Sequence, residues 1–306
     1  MSPEVSFETL PLAQARAEVS REAAMFGGPP IDLPLVRDLE ISGDAGPIPA
    51  RLYRPETVSS RPGLLVYFHG GGWVVGGTDT ADSVCRFLAA HAQVAVLSVD
   101  YRLAPEDPFP AAVDDALAAM RYAAAHAGAL EINGDAIAVG GDSAGGNLAA
   151  VLCQQAAIGL APMPVFQLLF FPVTDASAKA RSYGLFGEGY FLTEAQMDWY
   201  IGNYLPNVAD RIDPRASPLL AKDLSGLPPA YVAVAGFDPL RDEGEAYARR
   251  LHEAGVPAAL HRHSGLIHAF VNTTGLGTTG REAMLQAAGA LRTGISLHPA
   301  SHKEAR

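Results

Sequence analysis

Cysteine is almost absent: the 306 residues hold two, Cys85 and Cys153, each inside an apolar stretch. That scarcity excludes a disulfide-stapled scaffold and a thiolate metal cluster, so both read as buried free thiols. Positive charge is also in short supply. Lys and Arg total 22 against 33 Asp and Glu, a net charge of −11, and no block of like charge occurs along the chain. Phosphates need cations to neutralise them, so neither nucleic acid nor an anionic membrane surface is an expected partner. No apolar run is long enough to span a bilayer. The N-terminal stretch MSPEVSFETLPLAQARAEVS carries carboxylates where a secretion signal needs a basic region and an apolar core. Cytoplasmic residence is therefore the expectation, with the acceptor-like triplet Asn272-Thr273-Thr274 left unmodified.

What is abundant is apolar side chain, 49% of the residues, enough for a sizeable core. Short β-rich runs alternate with longer Ala- and Leu-rich segments, the rhythm of an α/β fold with a mostly parallel central sheet flanked by helices. Strands are expected at 64–68, 94–99, 136–140, 165–171, 231–235 and 258–262. Several of them, such as LLVYF and VAVLSV, are apolar without interruption, as strands covered on both faces must be. The weaker alternation at 36–53 reads as an antiparallel edge. Helices are expected at 79–91, 111–126 and 242–254, the last with Ala246, Leu251 and Ala254 on its inner face. Two segments do not fit the alternation: about 1–30, helical but ahead of the first strand, and 177–218, rich in aromatics, Gly and Pro. Both are expected to form a helical cap on a single domain covering 1–306, with 298–306 frayed.

Gly141-Asp142-Ser143-Ala144-Gly145 satisfies G-x-S-x-G between a strand signal and a helix signal with Leu148, Val151 and Leu152 at helical spacing. Such a turn strains the serine and needs small neighbours for close approach, while the helix N-terminus favours negative charge. His69-Gly70-Gly71-Gly72-Trp73 directly follows strand LLVYF. A phosphate-cradling loop is excluded there, because the Lys-Ser/Thr of a P-loop is missing and neither glycine stretch supplies G-x-G-x-x-G. Backbone donors for a developing oxyanion are the better use of these glycines: Gly71 and Gly72, with Ala144 after the serine. Serine needs a base and a group to orient that base. Of nine histidines, His91 and His126 sit in helix-like segments, while His261 and His263 share one face of a strand. His268 lies in the loop after the last strand. For the acid, Asp238 immediately follows 231–235. Asp242 and Glu243 read instead as first-turn helix carboxylates, and Asp213 belongs to the cap. The order Ser143, Asp238, His268 matches that of α/β-hydrolase triads, and all three follow strands, whose carboxyl ends share one edge of a parallel sheet.

The segments HGGGW at 69–73, YRLAPEDPFPAAVDD at 101–115, GDSAGGN at 141–147, DPLRDEG at 238–244 and IHAF at 267–270 together resemble the hormone-sensitive-lipase-like esterases, also called bacterial family IV. The resemblance covers His69 to Phe270. It implies a triad of Ser143, Asp238 and His268, an oxyanion hole from Gly71, Gly72 and Ala144, and a helical cap from the two segments above. Two departures stand out: Asp107 where that family often has His, and Ala269 where Gly is frequent. Asp142 reads as a structural hydrogen-bonding group and not a second base.

The implied activity is hydrolysis of a short- or medium-chain acyl ester through an acyl-enzyme, with no metal or cofactor. Tyr183, Phe186, Tyr190 and Phe191 are candidates for an apolar substrate pocket, and packing within the cap is the competing use for each. Amide or formamide hydrolysis on the same residues and a non-catalytic ligand receptor are the rival functions. Arylformamidases place an aromatic in the glycine run, where Gly72 stands here; receptors lose the histidine, which is present. A homodimer through an edge strand such as 258–262 is a further expectation, by analogy.

Overall fold

The computed structural model describes residues 7–56 and 59–297; the first six residues of the expected cap and the 298–306 tail lie outside them. Eight strands form one sheet: β1 (Leu35–Gly43), β2 (Gly46–Arg54), β3 (Leu64–Phe68), β4 (Ala95–Val99), β5 (Ile137–Asp142), β6 (Gln167–Phe170), β7 (Ala230–Phe237) and β8 (Ala258–Ile267). Their spatial order is β1-β2-β4-β3-β5-β6-β7-β8. The first two make an antiparallel hairpin, with Leu39 opposite Ala50, and β2 runs antiparallel to β4. Every later pairing is parallel.

Alternation along the central strands divides the core in two. Leu64, Val66 and Phe68 of β3 face α3 (Ala111–Ala125), α4 (Ala144–Ala157) and α7 (Arg241–Glu253). Leu65 and Tyr67 face α2 (Asp82–Ala92) and α8 (Thr278–Ser296). All five β3 side chains are buried. Each large aliphatic removed from water in this way contributes roughly 1.5–3 kcal/mol. Both cysteines are buried and unpaired.

The remaining helices are α1 (Leu12–Phe26), α5 (Arg181–Phe186) and α6 (Glu194–Tyr204). A capping box starts α6, in which the Gln196 backbone amide donates to the Thr193 side chain and the Thr193 backbone amide donates to the Gln196 side chain. Met197, Tyr200, Ile201 and Tyr204 of α6, Ala15 of α1 and the partly buried Leu12 and Val19 pack into or against apolar core, all but Ala15 on the α3/α4 side. None of the helices among the described residues is long and apolar enough to cross a membrane.

Three local expectations are corrected. Strand β6 is shorter than 165–171 because Phe171 adopts φ +33° ahead of Pro172, which leaves the extended region. Strand β8 continues five residues beyond 262 because it stays paired with β7 past an irregularity at 235–237, as far as Ile267 opposite Phe237. The inner face of α7 is Gly244, Tyr247, Ala248 and Leu251, while Ala246 and Ala254 are half-buried.

Candidate active site

Ser143 stands between β5 and α4 with φ +55° and ψ −116°, a conformation that costs a non-glycine residue about 1–3 kcal/mol. The neighbours hold it there. Its N–H donates to the Phe170 carbonyl at 2.9 Å, and its own carbonyl accepts from Asn147 at 3.0 Å and Val173 at 3.2 Å. The elbow also needs a bare backbone at Gly145, where a Cβ would run into the Phe68 carbonyl at the end of β3.

The loops after β7 and β8 bring two further residues to this turn. His268 Nε2 lies 3.1 Å from Ser143 Oγ, and its Nδ1 lies 2.8 Å from Asp238 Oδ2. An imidazole protonated on Nδ1 donates to the carboxylate and leaves the Nε2 lone pair to accept from the serine hydroxyl. The second Asp238 oxygen accepts from the Leu240 amide at 2.8 Å. All three side chains are buried. The His268 ring is braced by Phe171, their centroids 4.5 Å apart, and Phe171 in turn meets Phe270 edge-on.

Behind the serine turn runs the loop His69–Trp73. Gly71 and Gly72 take φ +113° and +59°, and Val74 and Val75 both donate to the Gly71 carbonyl. Among the described residues no acceptor takes the Gly71 or Gly72 amide. Asp142, next to Ser143, accepts from Tyr67 Oη at 2.7 Å and from the Gly70 amide at 3.0 Å, so one carboxylate ties the serine turn to the glycine loop. Burial pushes that carboxyl above the usual aspartate range, against the hydrogen bonds that favour its anion. His69 is buried too. Its ring stacks on Tyr101, whose hydroxyl donates to the His69 carbonyl at 2.7 Å, and burial lowers its pKa.

The carboxylates passed over for the acid have other partners. Asp242 pairs with Arg241, and Asp213 with Arg215. Glu243 is in the first turn of α7, as expected, but it is buried and accepts from the Thr174 amide at 2.7 Å and from Asp175 at 3.3 Å. His261 and His263 stack on one another, on one face of β8. The four aromatic pocket candidates are not brought together. Tyr183 is buried in the core. Phe186 and Tyr190 pack with each other and with Phe237, the neighbour of Asp238, while Phe191 is 51% exposed. Among the described residues no group of three or more His, Cys, Asp or Glu side chains forms a metal-binding cluster. Sequence reasoning misses Tyr200 of α6, whose ring lies against Gly72, and Arg16 of α1, which reaches the carbonyl of Val74. Glycine at 72 signals only that something lies close.

Known proteins share this arrangement of fold and sequence. The α/β hydrolase fold family matches residues 65–272. A carboxylic ester hydrolase of Mycobacterium tuberculosis, LipN, is 48% identical over 294 residues, which are 93% of this chain and 77% of that protein. An ethyl acetate hydrolase of Pseudomonas putida is 41% identical over 262 residues, 84% of this chain and 82% of its own length. Among solved structures, an ester hydrolase from the metagenome of Lake Arreo, complexed with a bipyridine phosphonate derivative, superposes with a TM-score of 0.93 at 42% identity. That match covers 96% of this chain and 94% of the other.

Proposed function

The chain belongs to the α/β-hydrolase fold family, as a carboxylic ester hydrolase of the hormone-sensitive-lipase-like group, and on that premise we propose how it works. Ser143 is the nucleophile, His268 the base and Asp238 the group that orients the base. Ser143 Oγ attacks the ester carbonyl carbon while its proton passes to His268 Nε2. The carbonyl oxygen becomes an oxyanion held by the amides of Gly71, Gly72 and Ala144. Collapse of the tetrahedral adduct breaks the bond to the alcohol oxygen, which takes the proton from His268 and leaves. Water, deprotonated by the same nitrogen, then attacks the acyl-enzyme, and the acid departs as Ser143 recovers its proton. Asp238 holds the imidazole tautomer and stabilises the imidazolium.

The observation that carries this reading is the position of His268, within hydrogen-bonding distance of both Ser143 and Asp238 in a buried site. The substrate class is a short- or medium-chain acyl ester. An ethyl acetate hydrolase among the relatives supports the short end. The described part of the first segment, 7–30, together with 177–218 acts as the cap, and the patch of Phe186, Tyr190 and Phe237 beside Asp238 is where an apolar part of the ester would lie. Ser143→Ala is expected to reduce hydrolysis of p-nitrophenyl butyrate by ~1,000-fold or more. Turnover surviving at the wild-type rate would sink the assignment. A series of p-nitrophenyl esters of increasing acyl length tests the substrate class, with an optimum at long acyl chains as the contrary outcome.

A further inference from the structure

Tyr200 and Tyr204 of the cap helix α6 touch the catalytic loop in a way that a substrate pocket does not require. Tyr200, on α6, lays its ring against the main chain of Gly72. A Cβ at position 72 would land on Tyr200 Cβ, Cγ and Cδ1, so the part of Tyr200 nearest Gly72 is the root of its ring and not the hydroxyl. One turn later on the same helix, Tyr204 stacks on Trp73, centroids 4.3 Å apart and planes 11° from parallel. The Tyr204 carbonyl also accepts from the Phe109 amide at 3.0 Å, fastening α6 to the segment that follows β4. At the start of the loop, Asp142 accepts from the Gly70 amide. Gly71 and Gly72, both at positive φ, therefore sit between a sheet-borne carboxylate and a cap-borne aromatic. Glycine is the most permissive backbone, and across their shared peptide plane the Gly72 amide is aimed by the Gly71 carbonyl that Val74 and Val75 hold, so the placement of that turn depends on what packs against it.

We propose that Tyr200 is a positioning residue that sets the Gly72 amide, so that docking of the cap helix is coupled to stabilisation of the transition state and not only to substrate capture. This rests on the oxyanion role given above to Gly71 and Gly72. Preorganised donors act through their aim, and a loop free to turn loses the transition state more than the ground state.

The test uses the full chain and p-nitrophenyl butyrate, with turnover counted per site titrated by the p-nitrophenol burst. Tyr200→Ala is expected to lower kcat by roughly 10- to 100-fold with KM moving less than about threefold. Tyr200→Phe, which keeps the ring, restores kcat. Affinity for a trifluoromethyl ketone, which adds Ser143 to form an oxyanion at the same donors, falls in the alanine variant in parallel with kcat/KM. A raised KM with unchanged kcat would make Tyr200 a pocket wall and overturn the proposal. Tyr200→Leu keeps atoms at the Cβ, Cγ and Cδ1 positions that meet Gly72 and is expected to hold kcat within about threefold of wild type. A leucine variant as slow as the alanine one would move the effect away from that contact and is equally fatal. Loss of activity in Ser143→Ala alongside wild-type kcat in Tyr200→Ala refutes the positioning role alone. Retained activity in Ser143→Ala refutes the reading beneath it.

Discussion

Arg16 of α1 forks onto both carboxylate oxygens of Glu106, at 2.8 and 2.7 Å, and the same guanidinium donates to the carbonyls of Val74 at 2.9 Å and Ala104 at 3.2 Å. The Ala104 amide in turn donates to the Trp73 carbonyl at 2.8 Å, so one side chain joins the first helix to the end of the glycine loop. The ion pair itself is more than half exposed on the glutamate side and is worth little in water. The carbonyls matter more, because removing their donor leaves partly buried acceptors unsatisfied. Arg16→Ala is therefore expected to destabilise by about 1–2 kcal/mol, read from urea midpoints. Arg16→Lys is not expected to restore it, since a single ammonium cannot serve four acceptors in the guanidinium plane. A lysine variant as stable as wild type would show that charge alone is at work.

How far the residues disclose this arrangement depends on the kind of signal. The β3 run LLVYF is legible because a strand covered on both faces has no polar alternative, and the Ser143 turn because glycines flank a serine between strand and helix. The order of the three site residues follows from the same reading. The inner face of α7 is not legible: Glu243 and Glu245 are buried beside it, and a carboxylate reads as outward until its partners are known. For Glu243 those partners are amides in the loop after β6, 68 and 69 positions away. Tyr200 is hidden for a similar reason, since its partner is a glycine with no side chain to betray the pairing. Cap aromatics carry no periodicity that separates a pocket from packing, which is why Tyr183 and Phe191 could be grouped with Phe186 and Tyr190.

Ala269 occupies a position made for glycine. It follows His268 directly and has φ +65° and ψ +18°, the left-handed region, while its carbonyl caps a 3-10 turn by accepting from Asn272 at 3.0 Å. A Cβ in that region costs about 1–2 kcal/mol. Glycine in its place would lose roughly 0.5–1 kcal/mol through the greater freedom of the unfolded chain. The balance favours Ala269→Gly by up to ~1.5 kcal/mol, or about 1–4 °C in Tm. Thermal melting checks it, and a lower Tm would mean that the alanine methyl makes packing contacts stronger than its strain.

Glu243 makes the stability depend on pH in a direction opposite to that of a salt-bridged carboxylate. Burial pushes its carboxyl well above the usual glutamate range, the nearby Asp175 and Asp238 push the same way, and the Thr174 and Asp175 amides pull only partly back. A raised folded-state pKa means that the native chain holds a proton that the unfolded chain has released. Its stabilisation is complete below the unfolded value near 4.5 and is lost as pH rises through the folded value. Glu243→Gln keeps an acceptor for the two amides and has no proton to lose. Relative to wild type it is expected to gain stability steadily from about pH 5 upward, by at most ~1.4 kcal/mol per pH unit. Glu243→Ala removes the acceptor as well and is expected to lose on the order of 1–3 kcal/mol for the buried Thr174 amide at every pH. Urea midpoints of the three proteins between pH 5 and 8 separate these effects. A glutamine variant that ran parallel to wild type across that window would show that Glu243 has the same proton occupancy folded and unfolded, and that the loop after β6 is held by a carboxylate charged in both states.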